Sequence, residues 1–147
     1  MSKIGFDGVF EVSGKNDTVG SETMVAMAGV RDVSTSVSMD TAEVSDRSSA
    51  FKLYTQGMVD LETTVEATYN TANTQLMDCI DACIERGYIK IAVLDGPSGQ
   101  GFTYWAMVTS SDVNQPLTDG MTVSLTFKPV QTYTGAGSLV PPTWTTG

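Results

Sequence analysis

Two cysteines four residues apart are the first candidates for chemistry in this sequence. Cys79 and Cys83 fall on successive turns of a predicted helix, where thiols could bind a metal ion or exchange electrons. The chain has no histidine and no second cysteine pair, so a closed metal site lacks ligands. Side chains at i and i+4 point in nearly parallel directions, which suits a disulfide poorly. We expect two core thiols in a reducing compartment.

Three carboxylates on one predicted strand form a second candidate. Asp60, Glu62 and Glu66 share one face of the alternating segment 58–70. Paired carboxylates perform the acid and base steps of glycoside hydrolysis. Here Asp60 and Glu62 are only two positions apart on a strand, and the sequence places no apolar pocket around them. A solvated acidic sheet face therefore explains the pattern better than catalysis does.

Two glycine-containing segments have some features of ligand-binding loops. Residues 95–101 lack the G-K-[ST] ending of a phosphate loop, and a strand follows where that motif needs a helix. Residues 112–120 have carboxylates at their ends but not the spaced oxygen ligands of a calcium loop. We expect both segments to be connectors.

Composition narrows the classes of function further. The 147 residues carry a net charge of −9, so the basic footprint of a nucleic-acid-binding protein is absent. The lack of histidine removes the commonest general base. No apolar run approaches 18 residues, and the N-terminus shows no signal peptide. We expect a single domain over residues 1–147, without catalysis, cofactor, metal site or membrane insertion.

Periodicity predicts the elements that position these side chains. Alternation between apolar and polar residues, or a short apolar run, predicts strands over 4–12, 25–40, 58–70, 88–94, 102–113 and 121–128. Residues 74–86 switch to helical period, with Asn73 or Thr74 as the cap and Gly87 after the last turn. On that helix we expect four apolar residues to be buried against the sheet: Leu76, Ile80, Cys83 and Ile84.

The remaining segments predict one long loop and one extended tail. Residues 40–57 form a polar stretch that also carries Phe51 and Tyr54 and closes at Gly57, too long for a tight hairpin. Residues 130–147 are rich in Thr, Gly and Pro and are expected to dock through Val140 and Trp144. The fold class is therefore mainly β, a two-sheet sandwich or barrel-like fold with one flanking helix.

The polar faces of the predicted strands share an unusual chemistry. They carry small hydroxyls and acids and almost no Lys or Arg: Asp32, Ser34, Ser36, Ser38, Asp60, Glu62, Thr64, Glu66, Thr122, Ser124 and Thr126. A wet face of an antiparallel sheet explains the alternation. It does not explain the scarcity of cations, which would suit a surface past which a polyanion moves without binding.

The order of these segments and their sequence motifs resemble those of the major tail, or tail tube, proteins of long-tailed bacteriophages, with the non-contractile type favoured. The similarity covers 30–70, 89–130 and the helix between them. Its elements are V-x-D-V-[ST] from residue 30, G-x-x-D-x-[ET] from 57, A-V-L-D-G from 92, and N-Q-P-L-x-D-x-x-[TS]-V-S-[VL]-[TS]-x-K-P over 114–129. The last element is the most specific, and none is enzymatic.

The resemblance implies a structural virion protein whose subunits form hexameric rings that stack into a hollow tube. One sheet of each subunit would join its neighbours around an acidic channel for viral DNA. A tape measure protein and tail terminator or tip proteins would be partners, and assembly would take place in the cytoplasm of the bacterial host. Asp32, Asp60, Glu62 and Glu66 become candidates for facing the lumen.

The loop at 40–57 would supply contacts between subunits, with Asp46, Arg47, Phe51 and Tyr54 as candidates. Two other hypotheses remain open at this point. One is a secretion tube of a contractile injection or type VI class, which shares the fold. The other is a monomeric β-sandwich binding module, which sedimentation would distinguish from rings or tubes.

Overall fold

A computed structural model describes residues 8–96, 99–134 and 136–145 of the chain. These residues form eight strands and one helix: β1 (Val9–Val12), β2 (Val25–Ala26), β3 (Val30–Glu43), β4 (Tyr54–Thr68), α1 (Thr74–Glu85), β5 (Tyr88–Leu94), β6 (Gly101–Asn114), β7 (Thr122–Pro129) and β8 (Thr143–Thr145). The mainly β class with one helix is confirmed. Of the strand predicted over 4–12, residues 4–7 lie outside the described part.

The strands belong to one antiparallel sheet in the order β2-β1-β5-β6-β7-β4-β3, with β8 paired to β6. The sheet is strongly curled. The rings of Phe10 on β1 and Phe127 on β7 show this, since they lie 5.8 Å apart although β5 and β6 separate those two strands in the sheet. β2 and β3 remain its two ends, so it is barrel-like without being a closed barrel. The inner face of this curled sheet holds the core.

Alternation along β4 places its core residues as the sequence predicts. Leu61, Thr63, Val65 and Ala67 are buried, while the residues between them are half-buried or exposed. The three apolar residues among them pack in one cluster with side chains of β1, β5, β6 and β7. Val59 has the same parity but is exposed, because β4 pairs with β7 only over Thr63–Thr68 and its earlier half extends past the core.

The helix covers the core with a narrower face than its apolar pattern predicts. Asn73 caps its start by accepting a hydrogen bond from Leu76 N, and Arg86, in the left-handed conformation, follows its last residue. Its buried residues are Leu76, Cys79 and Ala82, whereas Ile80 and Cys83 are only partly buried against the core. The prediction that Ile84 is buried was wrong: it is 74% exposed, because it lies past the edge of the helix's contact with β5 and β6.

Two boundaries also differ from the sequence prediction. The loop assigned to 40–57 is only 44–53, because β3 continues to Glu43 and β4 begins at Tyr54. The tail over 130–147 contains a strand, β8, whose Trp144 packs edge-on against Phe102 with ring centroids 4.8 Å apart. Within the described residues, no helix is long and apolar enough to span a membrane.

Candidate functional site

Four strand segments form a part of the sheet with one polar and one core-facing side. We call this part the panel: it consists of β3, β4, β7 and residues 108–114 of β6, which pair in that order. The register runs straight across it. Asp32 lies opposite Glu66, Glu66 opposite Ser124, and Ser124 opposite Asp112. The next row on the same side contains only hydroxyls: Ser34, Thr64, Thr126 and Ser110.

The predicted lumen acids all lie on this side of the panel, which we call the polar face. Asp60 and Glu62 lie opposite Ser38 and Ser36 of β3, and Asp32 and Glu66 form one cross-strand pair. The structure therefore brings the four carboxylates of the prediction onto one surface. Whether that surface faces a lumen stays a prediction.

Two of these acids have a cation beside them. Lys128 Nζ lies 3.6 Å from a carboxylate oxygen of Glu62, and Arg31 Nη1 lies 3.8 Å from one of Glu66. Asp32, Asp60 and Asp112 form no ion pair with any described residue. Since a nearby cation offsets much of a carboxylate's field at a distance, these three aspartates contribute most of the negative potential of the polar face.

Asp112 is the acid that sequence reasoning missed. Simple alternation along β6 from buried Tyr104 puts even-numbered residues on the core side. A register shift between Val108 and Ser110 reverses the parity, so that Ser110 and Asp112 join the polar face and Val113 the core side. The signal was present only in the partner strand, since Ser124 and Thr126 of β7 are the residues opposite them.

Within the described part of the chain, both edges of the panel are free. There β3 pairs only with β4, and the partner of β6 on the β5 side ends at the pair Tyr88 and Met107, before residues 108–114 begin. Free strand edges present rows of unpaired N–H and C=O groups, which favour pairing with another strand. The panel can therefore be extended by a further strand on either side.

The outer half of the β3–β4 hairpin forms a two-stranded arm, residues 37–60, beyond the strands that pair with β7. Nearly every residue of the arm is exposed, including Met58 at 84% and Val59 at 63%. Gly57 marks a register irregularity in the arm, where a Cβ atom would lie 2.8 Å from the carbonyl oxygen of Asp40. An isolated two-stranded ribbon is marginally stable in water, and the arm is supported only by its continuity with the rest of β3 and β4.

The four predicted contact residues lie at the end of this arm. Phe51 is 79% exposed and Tyr54 is also exposed, at the start of β4. Asp46 accepts hydrogen bonds from the hydroxyl and the backbone N–H of Ser48, which lower the pKa of its carboxyl. Arg47 is exposed beside it and forms no ion pair with a described residue. The structure gathers these residues on one tip, and their role as contacts stays a prediction.

The other chemical candidates occupy structural positions. Cys79 is buried, and burial raises the pKa of its thiol to about 12; Cys83 is a free, partly buried cysteine. Of the two segments expected to be connectors, 95–101 lies between β5 and β6 except that Gly101 begins β6, and its residues 97 and 98 lie outside the described part. The prediction for 112–120 was wrong for 112–114, which continue β6, because β7 pairs with β6 as far as Asn114. No group of three or more potential metal ligands occurs among the described residues.

Comparison of the sequence with protein-family models gives no match, and no curated protein matches it. Solved structures do match, over nearly the whole chain. A chain from the tail of an empty gene transfer agent particle, refined with C6 symmetry, has a TM-score of 0.70 at 17% identity, covering 95% of this chain and 98% of the other.

Two further structures extend the comparison. A chain of the SPP1 tail tube has a TM-score of 0.75 at 9% identity, covering 99% of this chain and 80% of the other. A chain of the sheath–tube complex of an extracellular contractile injection system has a TM-score of 0.61 at 15% identity, covering 99% and 93%. At such identities the likeness establishes the fold, and this chain therefore has the fold seen in subunits of phage-type tails and tail tubes.

Proposed function

We propose that the protein is a structural, non-catalytic subunit of a hollow tail tube, in which six copies close into a ring and rings stack along an axis. The likeness of fold to tail structures over nearly the full chain, one of them refined with C6 symmetry, supports this assembly. The proposal places the protein in a virion, where the tube conducts DNA into a host cell.

The observation that carries the proposal is the panel, with its polar face, its core-facing side and its two free edges. Its four strands alternate in direction, so its first and last strands run in opposite senses. Rotation about an axis keeps strand directions relative to that axis. Each junction between β6 of one copy and β3 of the next is therefore antiparallel, and ring closure leaves neither edge of the panel unpaired.

The polar face lines the channel in this arrangement, because the opposite side is already covered by the core. Asp32, Asp60, Glu62 and Glu66 then face the lumen, joined by Asp112. Each is repeated by the symmetry of the ring. Basic residues drive phosphate binding, so a lumen with a surplus of acids lets DNA pass without retaining it.

The arm provides contacts between subunits beyond the edge pairing, through Asp46, Arg47, Phe51 and Tyr54. Its exposed apolar side chains and its lack of support from the rest of the sheet favour this role. A tape measure protein inside the tube and terminator or tip proteins at its ends complete the proposed set of partners. Assembly takes place in the cytoplasm of the bacterial host.

A secretion tube of a contractile system is the second candidate, and the likeness to a chain of such a sheath–tube complex favours it over a monomeric module. Negative-stain microscopy and sedimentation of the purified protein test the assembly directly. Rings or tubes are the expected result. A protein that sediments as a monomer at all accessible concentrations would be a binding module instead.

The direction of the polar face is tested by charge reversal in assembled particles. Asp60→Lys combined with Glu62→Lys, on β4 away from the two panel edges, should slow DNA ejection at low salt, where electrostatic effects are largest. Asp81→Lys, on an exposed position of the helix, changes the charge away from this face and serves as the control. Ejection at the normal rate from the double variant would place the polar face on the outside of the tube.

A further inference from the structure

A groove opens at the seam where the curled sheet fails to close. It has a volume of about 830 Å³ and lies between β1 and β2 on one side and the start of β3 on the other. Phe10 and Met27, both core residues, form its floor together with the partly buried Val33 and Val93. The groove therefore exposes part of the core-facing side of the panel at the β3 edge.

The opposite edge of the panel carries an apolar side chain at the same level. Val30 lies opposite Ala67, Ala67 opposite Val123, and Val123 opposite Val113. This row faces the core, yet Val113 is 45% exposed, because no strand of residues 8–96, 99–134 or 136–145 pairs with β6 on that side there. The same row thus ends in the groove at one edge and in an uncovered valine at the other.

The loop after β6 adds a second apolar group near this edge. Leu117 is fully exposed, three residues beyond the end of β6. Isolated exposed apolar residues are common on protein surfaces. Here Val113 and Leu117 lie at the free β6 edge of the panel, while the apolar groove lies at the opposite, β3 edge.

We propose that the groove is the acceptor site for a second copy of this chain, which inserts Val113 and packs Leu117 against the groove's rim. The inference rests on the proposed ring, since it describes what the β6-to-β3 junction buries. A neighbouring copy that continues the rows of the panel brings Val113 level with Val30, one core-facing row away from Val33. The site is incomplete in a single subunit, because the side chain that fills it belongs to the next one.

Charges at the rim favour the same occupant. Arg31 lines the groove and reaches only to 3.8 Å from Glu66, with more than half of its side chain exposed. Asp112, one residue before Val113, forms no ion pair within the described chain. At the junction Asp112 of the incoming copy lies beside Arg31, which offsets its repulsion from Asp32 in the same row.

Disulfide trapping tests the contact itself. In a Cys83→Ser background, Val113→Cys is combined in the same chain with Val30→Cys or Val33→Cys and oxidised at high protein concentration. We expect a ladder of crosslinked oligomers in denaturing gels for at least one combination, and none for Val113→Cys with Ile84→Cys on the exposed helix face. Absence of a ladder from both groove combinations overturns the inference.

A second measurement does not depend on crosslinking geometry. Val113→Asp places an unpaired carboxylate in the groove, so the assembled fraction should fall at least about tenfold, whereas Ile84→Asp should assemble as the wild type does. In the Val33→Cys variant, assembly should protect the thiol from a soluble maleimide. Normal assembly of Val113→Asp overturns the inference. A Val33→Cys thiol that stays reactive in the assembled protein also overturns it, since the second copy then leaves the groove open to another occupant.

The two proposals fail in different ways. If the wild-type protein forms no rings or tubes but the variant with Val113→Cys and Val33→Cys still crosslinks between chains, the groove contact is retained and the tail tube is lost. Rings that form without that crosslink and with full reactivity at Val33→Cys retain the tube and lose the groove contact.

Discussion

The hydroxyl of Tyr104 on β6 donates a hydrogen bond of 2.6 Å to Thr63 Oγ1 on β4, across the strand that lies between them. Both residues are fully buried, and Thr35 Oγ1 of β3 lies 3.3 Å from the same Thr63 oxygen. Burial raises the pKa of Tyr104 to about 12, so the phenol stays protonated as a donor. This chain of hydroxyls connects β3 and β4 of the panel to the part of β6 that precedes it, on the core-facing side.

Removing the donor should weaken the subunit measurably. Tyr104→Phe leaves a buried hydroxyl with a poorer partner, and we expect a loss of about 1–3 kcal/mol in the free energy of unfolding. Denaturant unfolding of the dissociated subunit measures it. The double variant with Thr63→Val should lose less than the sum of the single changes, with a coupling of roughly 0.5–3 kcal/mol. Strict additivity would show that the two hydroxyls do not interact in solution.

The position of the helix predicts a contrast between two apolar residues. Leu76 is fully buried, so Leu76→Ala should cost about 2–5 kcal/mol of unfolding free energy. Ile84 is largely exposed, and Ile84→Ala should change stability by less than about 0.5 kcal/mol. Thermal or denaturant unfolding of both variants checks this. Equal losses would mean that the helix is rotated about its axis relative to the structure.

Gly101 begins β6 at a point where the backbone of β5 comes very close. A Cβ atom there would lie 1.7 Å from the carbonyl oxygen of Val93, so Gly101→Ala has to displace backbone. We expect a loss of roughly 2–3 kcal/mol in unfolding free energy. Gly120→Ala, with nothing within 4 Å of the added carbon, is the matched control. Similar stability of the two variants would contradict the close approach of the strands.

An ion pair fastens the loop between β1 and β2 to the sheet. Lys90 on β5 donates to the carboxylate of Glu22, whose side chain is only 12% exposed, and this bond lowers the pKa of Glu22 below its ordinary value of 4.5. A carboxyl with a lowered pKa in the folded state stabilises it at pH values above the unfolded pKa. That contribution disappears as the pH falls through the folded value.

The pH dependence of stability should follow this sign. Glu22→Gln is expected to lower the unfolding free energy by about 0.5–1 kcal/mol at pH 7, as a partly screened pair would. The difference from the wild type should shrink as the pH falls below 4.5. Glu43→Gln, at the exposed end of β3, is the control and should cost little at any pH. A difference that grows in acid would contradict the assignment.

Alternation predicted the panel well because its strands are half-buried along most of their length. The same pattern could not predict where along the strands the core-facing side stops being buried. Val37, Met39 and Val59 continue the alternation of apolar residues, yet they are exposed on the arm. Periodicity identifies a face of a strand, whereas the extent of the neighbouring strand decides whether that face is covered. The length of β7 is what limits it here.

The helix shows a related limit. Its apolar arc includes Ile84, but the sheet contacts the stripe of Leu76, Cys79 and Ala82, where the small Ala82 allows close approach. The alternation of β6 alone could not reveal the bulge between Val108 and Ser110. For that reason the sequence did not predict that Asp112 lies on the polar face or that Val113 lies on the core side. Strand β8 was anticipated only as a docked tail, since three residues are too few for a periodic signal.

The spacing of the rows in the panel determines how evenly the electrostatic potential is spread over its polar face. Successive rows on one face are two residues apart along a strand, about 6.8 Å. That spacing is shorter than the Debye length of about 8 Å at physiological salt. The electrostatic fields of neighbouring rows therefore overlap and form one smooth potential. This holds for the row that contains Asp32 and Asp112, the hydroxyl row beside it, and the rows of Glu62 and Asp60. A charged polymer sliding over this face would meet little corrugation, and so little friction from discrete wells.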